Sequence, residues 1–442
     1  MSSHLQKTDN QIYELTKQEE QRQTDVLEMI PSENYASKAV REALGSVFTN
    51  KYSEGYQYAR YYQGNEFVDK VEELATDRIK KLFNVPYANV QPYSGSPANL
   101  AVYMACMKPG DTILGLKLAF GGHLTHGDPV TASGTIYKSI QYQLDAEGKI
   151  DIEEVRKLAH EHKPQVIVIG TTAYPRNLPY KEFAEIAEEV GAYLHADISH
   201  IAGMTCAGVS ESPVPYAHTI MFTTHKTFRG PRGAVILTTE KGIQKDADLA
   251  KKINKWVFPG LQGGPHNNVT AAIAVAAQEA ATDQFKQDQM QTLKNAQELA
   301  KELIARKYNL ISNGTDNHLI LVDLLDKNIN GRLAASALEE ANIVCNRNSI
   351  PNDPMPPFYP SGLRFGTPCI TTRGMKEPEM KKIAEWIDIV LQESVKHSTD
   401  VDIKNKEARE QFLNKIKQSD VVQKVKTEVI ALCKKFPLDN YI

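Results

Sequence analysis

The sequence lacks paired cysteines. Its five, at 106, 206, 345, 369 and 433, are odd in number and never fall at CxxC spacing. That argues against a disulfide framework or a structural zinc site, and for small buried thiols in a reducing compartment. It also lacks a dominant charge: 51 lysines and arginines face 54 aspartates and glutamates, for a formal net charge of −3 with both signs interspersed. Such a balance gives no electrostatic case for nucleic acid or a membrane as partner. No apolar stretch approaches the ~20 residues of a membrane-crossing helix. The opening MSSHLQKTDNQIYEL carries no signal-peptide apolar region, and the expected compartment is the cytoplasm. Repeats and low-complexity runs are missing as well. What remains is an ordinary globular composition, 41% hydrophobic and 24% charged over 442 residues. That length buries a sizeable core, in two or three domains or one large α/β unit with an appendage.

Along the chain, residues 10–28 read as a helical arm, and 29–65 as an irregular segment dense in tyrosine. Phe67, Val71, Leu74, Ile79 and Leu82 recur at helical spacing and predict an amphipathic helix over 66–83. Strands are expected at 88–91, 111–116, 136–142, 165–170, 192–197, 219–223 and 233–238, with helices to about 107 and at 151–162 and 180–190. Strand–helix alternation over such a length predicts a mostly parallel sheet covered by helices. Helical segments at 269–282 and 286–306 lead out of it, with strands near 318–323 and 343–345, helices at 331–341 and 376–396, and a charged helical tail from about 402. The expected division is an arm (1–45), a large α/β domain (46–285) and a smaller α+β domain (286–442).

The chain is organised around TIMFTTHKTFRGPRG at 219–233, where an apolar strand runs into Lys226 before a Gly-Pro-Arg-Gly turn. A lysine at the mouth of a buried strand either snorkels to solvent or has its charge used. Desolvation depresses its pKa and suits it to form a Schiff base with an aldehyde. Upstream, the strand GAYLHAD ends in Asp197, with His200 three positions on. An acid at the carboxyl end of a parallel strand faces the ligand crevice of an open α/β sheet, or else caps the next helix. Strand-end aspartate and strand-end lysine together fit pyridoxal phosphate, whose ring nitrogen needs a carboxylate and whose aldehyde needs an amine.

TTHKTFRGPRGA resembles the cofactor-lysine motif of the serine hydroxymethyltransferase family. Further stretches match that family in order: LEMIPSENY at 27–35, NKYSEGY at 50–56, ARYYQGNEFVD at 59–69, VQPYSGSPAN at 90–99, GGHLTHG at 121–127, FPGLQGGPH at 258–266, GTDNHLILVDL at 314–324, NSIPNDP at 348–354 and SGLRFGTP at 361–368. The resemblance covers nearly the whole chain beyond its first residues. It implies a fold-type I pyridoxal-phosphate-dependent transferase (aspartate aminotransferase-like), with a helical arm and a smaller C-terminal domain. The implied activity moves serine's hydroxymethyl carbon to tetrahydrofolate, in a homodimer with shared active sites or a tetramer.

The resemblance also assigns residues. Ser94, Gly95 and Ser96, before a helix, become the phosphate cradle, for which a helix N-terminus is physically suited. Gly263 and Gly264 resemble a loop reaching the phosphate of the neighbouring subunit, and Tyr52 joins the cofactor set. His123 is expected to stack on the pyridine ring, Thr172 to meet its phenolic oxygen, and His200 and His225 to flank Asp197 and Lys226. Arg364, read from sequence as a loop residue, and Ser32 are the expected grip on the substrate carboxylate, since a guanidinium binds carboxylates bidentately. Glu54 and Tyr62 are candidates for proton transfer, with Tyr62 also touching substrate. Tyr61, Leu118, Gly122, Leu124, Asn348 and Phe358, together with Glu54, resemble a folate site. His123 and His126 at i, i+3 have zinc-like spacing, but flanking glycines indicate a loop and no third ligand is evident, so no metal is expected.

Other readings share these residues. A folate-independent aldolase of β-hydroxy amino acids would keep Lys226, Asp197 and Arg364, but has no use for NSIPNDP and Glu54. An α-methylserine-type hydroxymethyltransferase is a narrower variant. A non-catalytic scaffold would be expected to have lost Lys226, Asp197 or Glu54, and all three stand.

Overall fold

The computed structural model describes residues 4–399 and 401–442. Its centre is a seven-stranded sheet built from β1 (Tyr87–Asn89), β2 (Thr112–Leu116), β3 (Lys138–Tyr142), β4 (Val166–Gly170), β5 (Tyr193–Asp197), β6 (Thr219–Thr223) and β7 (Ala234–Thr238). The spatial order is β1-β7-β6-β5-β4-β2-β3. Strands β3, β2, β4, β5 and β6 run parallel; β7 pairs antiparallel with β6, and β1 pairs antiparallel with β7. These strands are short, apolar and buried on both faces, the signature of a parallel sheet covered by helices. Alternate residues of β4 serve different cores: Ile167 and Ile169 join one, Val166 and Val168 the other.

A second sheet has the order β8-β9-β11-β10, from β8 (Asn309–Leu310), β9 (Leu319–Asp323), β10 (Asn346–Asn348) and β11 (Gly362–Gly366), all antiparallel. Its core is separate and takes in the helix Glu377–Ser398 and the two tail helices Lys406–Gln418 and Asp420–Lys435. The end of the arm belongs to this core, because Leu27 and Met29 are buried in it and Leu27–Glu28 pairs in parallel with Ile343–Val344. Buried Arg373 ties the two together, donating to the carbonyls of Gln23, Thr24, Val26, Cys433 and Phe436. The helix Asn10–Asp25 itself buries no side chain, leaving Ile12 and Leu15 exposed.

Sequence-based expectations are corrected at several points. Arg364 stands on a strand, β11, every residue of which is buried, not in a loop. The strand expected from 136 begins at Lys138, because Ala132–Ile136 forms a short helix capped by Thr131. On the helix Glu66–Phe83 the buried face is turned from the expected one. Val68, Glu72, Ala75 and Ile79 face inward, while Phe67 and Leu74 are exposed. The cause is an ion-pair cluster: buried Arg60 pairs with Asp69 at 2.8 Å and Glu72 at 2.5 Å, which draws two acids into the interior. All five cysteines are free; Cys369 and Cys433 are buried and the others half-buried. Among the described residues, no helix is long and apolar enough to cross a membrane.

Candidate active site

The carboxyl ends of β5 and β6 deliver Asp197 and, three residues past its strand, Lys226 to one cavity of about 230 Å³. Ser94, Gly95, Ser96, His123, Thr172, His200 and His225 line the same cavity, so the residues expected around the cofactor ring and phosphate converge. The sheet register makes this possible. Gly170 on β4 lies opposite Asp197, and a Cβ there would sit 2.7 Å from the aspartate's own Cβ. Only glycine leaves room for that carboxylate at the strand end.

Asp197 is held by groups that sequence reading did not single out. Oδ1 accepts from the Ser199 hydroxyl at 2.6 Å and the Ser199 backbone N–H at 3.0 Å. Oδ2 accepts from Asn99 Nδ2 at 2.9 Å and lies 3.1 Å from His126 Nε2. His126, which had no assignable role, thus anchors the central acid. Burial raises the carboxyl's pKa, but the His126 contact, His123 and Ser199 outweigh it and hold the group well below the ordinary range. A carboxylate this firmly ionised and fixed suits a protonated ring nitrogen. Asn99 is itself oriented by buried His195, whose Nε2 lies 2.9 Å from its Oδ1. His123, His126 and Asp197 also bring three potential ligand atoms within 4.8 Å, so Asp197 is the third group missing from the sequence reading. His123 Nδ1 lies 2.7 Å from Thr125 Oγ1, and His126 Nε2 lies 3.1 Å from Asp197 Oδ2.

Lys226 Nζ donates to Thr223 Oγ1 at 2.9 Å. Burial, with Arg364 and Arg232 nearby, lowers its pKa to about 8 against the opposing pull of Asp197. The amine is therefore poised as a nucleophile near neutral pH. Burial likewise drives His123 down to about 4 and His225 to about 3, so both imidazoles are neutral. The loop after Lys226 is clamped: Thr224 N–H donates to the Gly233 carbonyl, Gly230 N–H to that of Thr224, and the Thr224 hydroxyl to that of Pro231.

Ser94 stands at the N-terminus of the helix Gly95–Cys106 without capping it through its own side chain. Ser94, Gly95 and Ser96 line the cavity at this helix start, where free N–H groups and hydroxyls suit an anion. A Cβ at Gly95 would meet Thr223 Cγ2 at 2.8 Å, so glycine is required where the helix start meets the lysine's neighbour. Thr172 donates its hydroxyl to the Gly122 carbonyl at 2.8 Å, which leaves it able only to accept from a ligand.

Arg364 is buried and its Nε donates to Asn346 Oδ1 at 3.0 Å, while Nη1 donates to the Thr172 carbonyl. Among the described residues it pairs with no carboxylate, and burial lowers its pKa to about 10. A buried guanidinium without a counter-ion is costly unless a ligand supplies one. Ser32 is half-buried, on the turn whose Pro31 packs against Gly366 at the end of the arginine's strand. Leu118, Gly122 and Leu124 sit on the turn that carries His123, with Leu124 exposed. Asn348 follows Asn346 on the same face of β10, whereas Phe358 is exposed and flanked by Arg332 at 5.2 Å and Arg347 at 5.6 Å.

Arg364, Ser32, Leu118, Gly122, Leu124, Asn348 and Phe358 are not among the residues lining the cavity around Lys226, and a further group of expected residues gathers elsewhere. Tyr52 and Glu54 touch each other at 3.3 Å, and Tyr62 packs edge-on to Tyr52 with ring centroids 5.2 Å apart. A Cβ on Gly263 would lie 3.3 Å from Glu54 Oε1, and one on Gly264 would lie 3.1 Å from the Tyr52 ring. Tyr61 stands beside them and is exposed, its ring 5.8 Å from that of Phe258. These residues form a second, outward-facing cluster on the same chain.

A strand-end lysine with a depressed pKa, a buried strand-end carboxylate and a helix-terminal anion cradle on a mostly parallel sheet define a fold-type I pyridoxal-phosphate-dependent transferase. The residues fit that cofactor: Lys226 for its aldehyde, Asp197 for its ring nitrogen, Ser94 to Ser96 for its phosphate. The chain belongs to the serine hydroxymethyltransferase family, whose model matches residues 5–387. It is 54% identical over 387 residues to the serine hydroxymethyltransferase of Acidothermus cellulolyticus, covering 87% of this chain and 89% of that one. It is 50% identical over 434 residues to serine hydroxymethyltransferase 1 of Pseudomonas fluorescens, covering 98% of each. To the Methanosarcina barkeri serine hydroxymethyltransferase it is 52% identical over 393 residues, covering 89% of this chain and 94% of the relative.

Replacing Asp197 by asparagine keeps the volume and the Ser199 contacts but removes the negative charge that a protonated ring nitrogen would need. Turnover is expected to fall by at least ~100-fold with the fold intact, the scale of losing one aligned electrostatic stabiliser. Steady-state kinetics beside a circular-dichroism melt checks this; near-parental turnover would mean that another group partners the ring.

Proposed function

We propose how this chain's residues divide the family's reaction, the reversible pyridoxal-phosphate-dependent transfer of serine's hydroxymethyl carbon to tetrahydrofolate, which gives glycine and 5,10-methylenetetrahydrofolate. The bound cofactor supplies an aldehyde that captures amines and a ring that accepts charge from the substrate's Cα. Lys226 would hold the cofactor through its aldehyde in the resting enzyme. Asp197 would keep the ring nitrogen protonated, His123 would lie against the ring, and His200, His225 and Thr172 would border it, as all five line one cavity. Arg364 and Ser32 grip the substrate carboxylate and so fix which Cα bond is broken. Leu118, Gly122, Leu124, Asn348 and Phe358 receive the folate.

Tyr52, Glu54, Tyr61, Tyr62, Gly263 and Gly264 complete the site of a second copy of the chain. The observation that carries this reading is their separation: they gather around Glu54, outside the cavity that holds Lys226. A titratable carboxylate among exposed tyrosines has no evident work on its own chain, but fits proton transfer across a two-fold interface. Tyr93 adjoins both groups, next to Ser94 in sequence and donating through its hydroxyl to the Gly264 carbonyl at 2.6 Å. The working unit is then a homodimer, with divisions at 1–45, 46–285 and 286–442. Unpaired thiols suit a reducing cytoplasm.

The lysine assignment is tested by pH. Only the neutral amine attacks an aldehyde, so a pKa lowered to about 8 makes capture faster as pH rises through that value. Stopped-flow addition of pyridoxal phosphate to cofactor-free protein should give a rate with its midpoint near pH 8. A midpoint at the ordinary lysine value would mean that the reacting amine is solvent-exposed and is not Lys226.

A further inference from the structure

The unit built on the second sheet meets the first along residues 172–177, which follow β4. From β11, Arg364 Nη1 donates to the carbonyl of Thr172, a residue of the cavity wall. Two residues on, the Tyr174 carbonyl accepts from Asn317 Nδ2 at 3.1 Å. The Pro175 carbonyl accepts from the Asp316 backbone N–H at 2.8 Å, and Arg176 Nη1 pairs with the Asp316 carboxylate at 2.9 Å. Asn317 is buried, and both ends of its amide are used. While Nδ2 reaches across to Tyr174, Oδ1 accepts at 3.0 Å from the backbone N–H of Leu319, the first residue of β9. Strand β9 lies beside the arginine's strand, with Leu321 opposite Arg364.

We propose that Asn317 is a positioning residue. By joining β9 to the Tyr174 carbonyl it sets where Arg364 stands at the Thr172 edge of the cavity, and so sets the affinity for a substrate carboxylate. This rests on the reading of Arg364 as the carboxylate grip. Within its own sheet Arg364 is fixed by the β9 pairing and by Asn346, but these contacts do not place it relative to Lys226. The join at 172–177 does. The Arg176–Asp316 pair in that join is half-buried and screened by water, so it contributes little. The Asn317 bond is buried, and its loss leaves the Tyr174 carbonyl without that partner. A two-pronged guanidinium–carboxylate contact depends on angle as well as distance, so a shift of β11 registers in carboxylate binding. Lys226, Asp197 and the Ser94–Ser96 helix start all belong to the first sheet and its connections, and a shift of β11 leaves them in place.

The test variant is Asn317→Ser. A serine hydroxyl still accepts from the Leu319 N–H two residues on, but is too short to reach Tyr174. In the holoenzyme, glycine binding followed by the cofactor's absorbance should weaken about tenfold, as expected for one buried hydrogen bond. Methylamine, which offers an amine without a carboxylate, should bind within about twofold of the parent. Pyridoxal phosphate affinity of the cofactor-free protein should be unchanged to the same degree. Equal losses for glycine and methylamine would make Asn317 a packing residue, and parental glycine affinity would overturn the inference outright. If Asn317→Ser does not fold, Arg176→Met decides, because it loosens the same join from its wetter side. It should weaken glycine by about threefold and spare methylamine, and no change in glycine affinity would count against the proposal. Arg364→Gln separates the inference from the reading beneath it. Glycine should bind far more weakly there, and adding Asn317→Ser should weaken it no further, since the group being positioned is gone. Unchanged glycine affinity in Arg364→Gln would show that the arginine is not the carboxylate grip, and the inference would fall with that reading.

Discussion

Lys226→Ala should leave a folded protein that no longer holds pyridoxal phosphate covalently. Lys226 is the amine in the cavity, its Nζ tethered to Thr223 Oγ1 at 2.9 Å and its pKa lowered to about 8. Borohydride reduction of the parent should fix the cofactor to the peptide containing Lys226, and in the variant it should fix none. Ser94 to Ser96 and Asp197 remain, so the cofactor should still bind reversibly. Turnover should fall by several orders of magnitude, as when a covalent catalytic residue is removed. A full yield of reduced protein–cofactor adduct in the variant would place the linkage on another lysine.

Glu54→Gln should separate two activities. The amide preserves size and the contact with Tyr52, 3.3 Å away in the parent, but cannot carry a proton. Cofactor binding, serine or glycine binding and dimerisation should stay near parental. Folate-dependent transfer should drop by more than ~100-fold, the upper part of the range for a positioned acid or base. Folate-independent cleavage of threonine-like β-hydroxy amino acids should suffer less, because no carbon condenses on folate there. Loss of both activities together, or of the cofactor, would make Glu54 a structural residue.

The large sheet was legible because its strands are short apolar runs separated by helices of clear period, and the motifs at 90–99, 121–127 and 219–233 fall where those elements meet. Asp197 and Lys226 could be read because each ends such a run. Arg364 hid its strand: in GLRFG the charge falls between Leu363 and Phe365, and glycines at both ends imitate a loop. Its alternation was the available signal, since Leu363 and Phe365 enter the core while Arg364 takes the opposite face. The helix Glu66–Phe83 was turned because its apolar count ignored Arg60, which draws Asp69 and Glu72 inward from a different segment. Ser199 meets Asp197 locally, two residues on, but Asn99 and His126 reach the same carboxylate from 98 and 71 residues upstream. No local pattern encodes that. The Asn317–Tyr174 contact, 143 residues apart, was out of reach for the same reason.

The claim that each site is built from two copies of the chain is tested most directly by mixing subunits. Lys226→Ala and Glu54→Gln proteins, each inactive in folate-dependent transfer, are unfolded together, refolded and assayed, with heterodimer formation verified by differential tags. In a heterodimer, the Glu54→Gln chain contributes an intact Lys226 and the Lys226→Ala chain an intact Glu54. If they serve one site, random mixing should restore about a quarter of parental activity, since half the dimers are mixed and each regains one site of two. Verified heterodimers with no activity above either parent would place Glu54 and Lys226 in the site of the same chain and contradict the account.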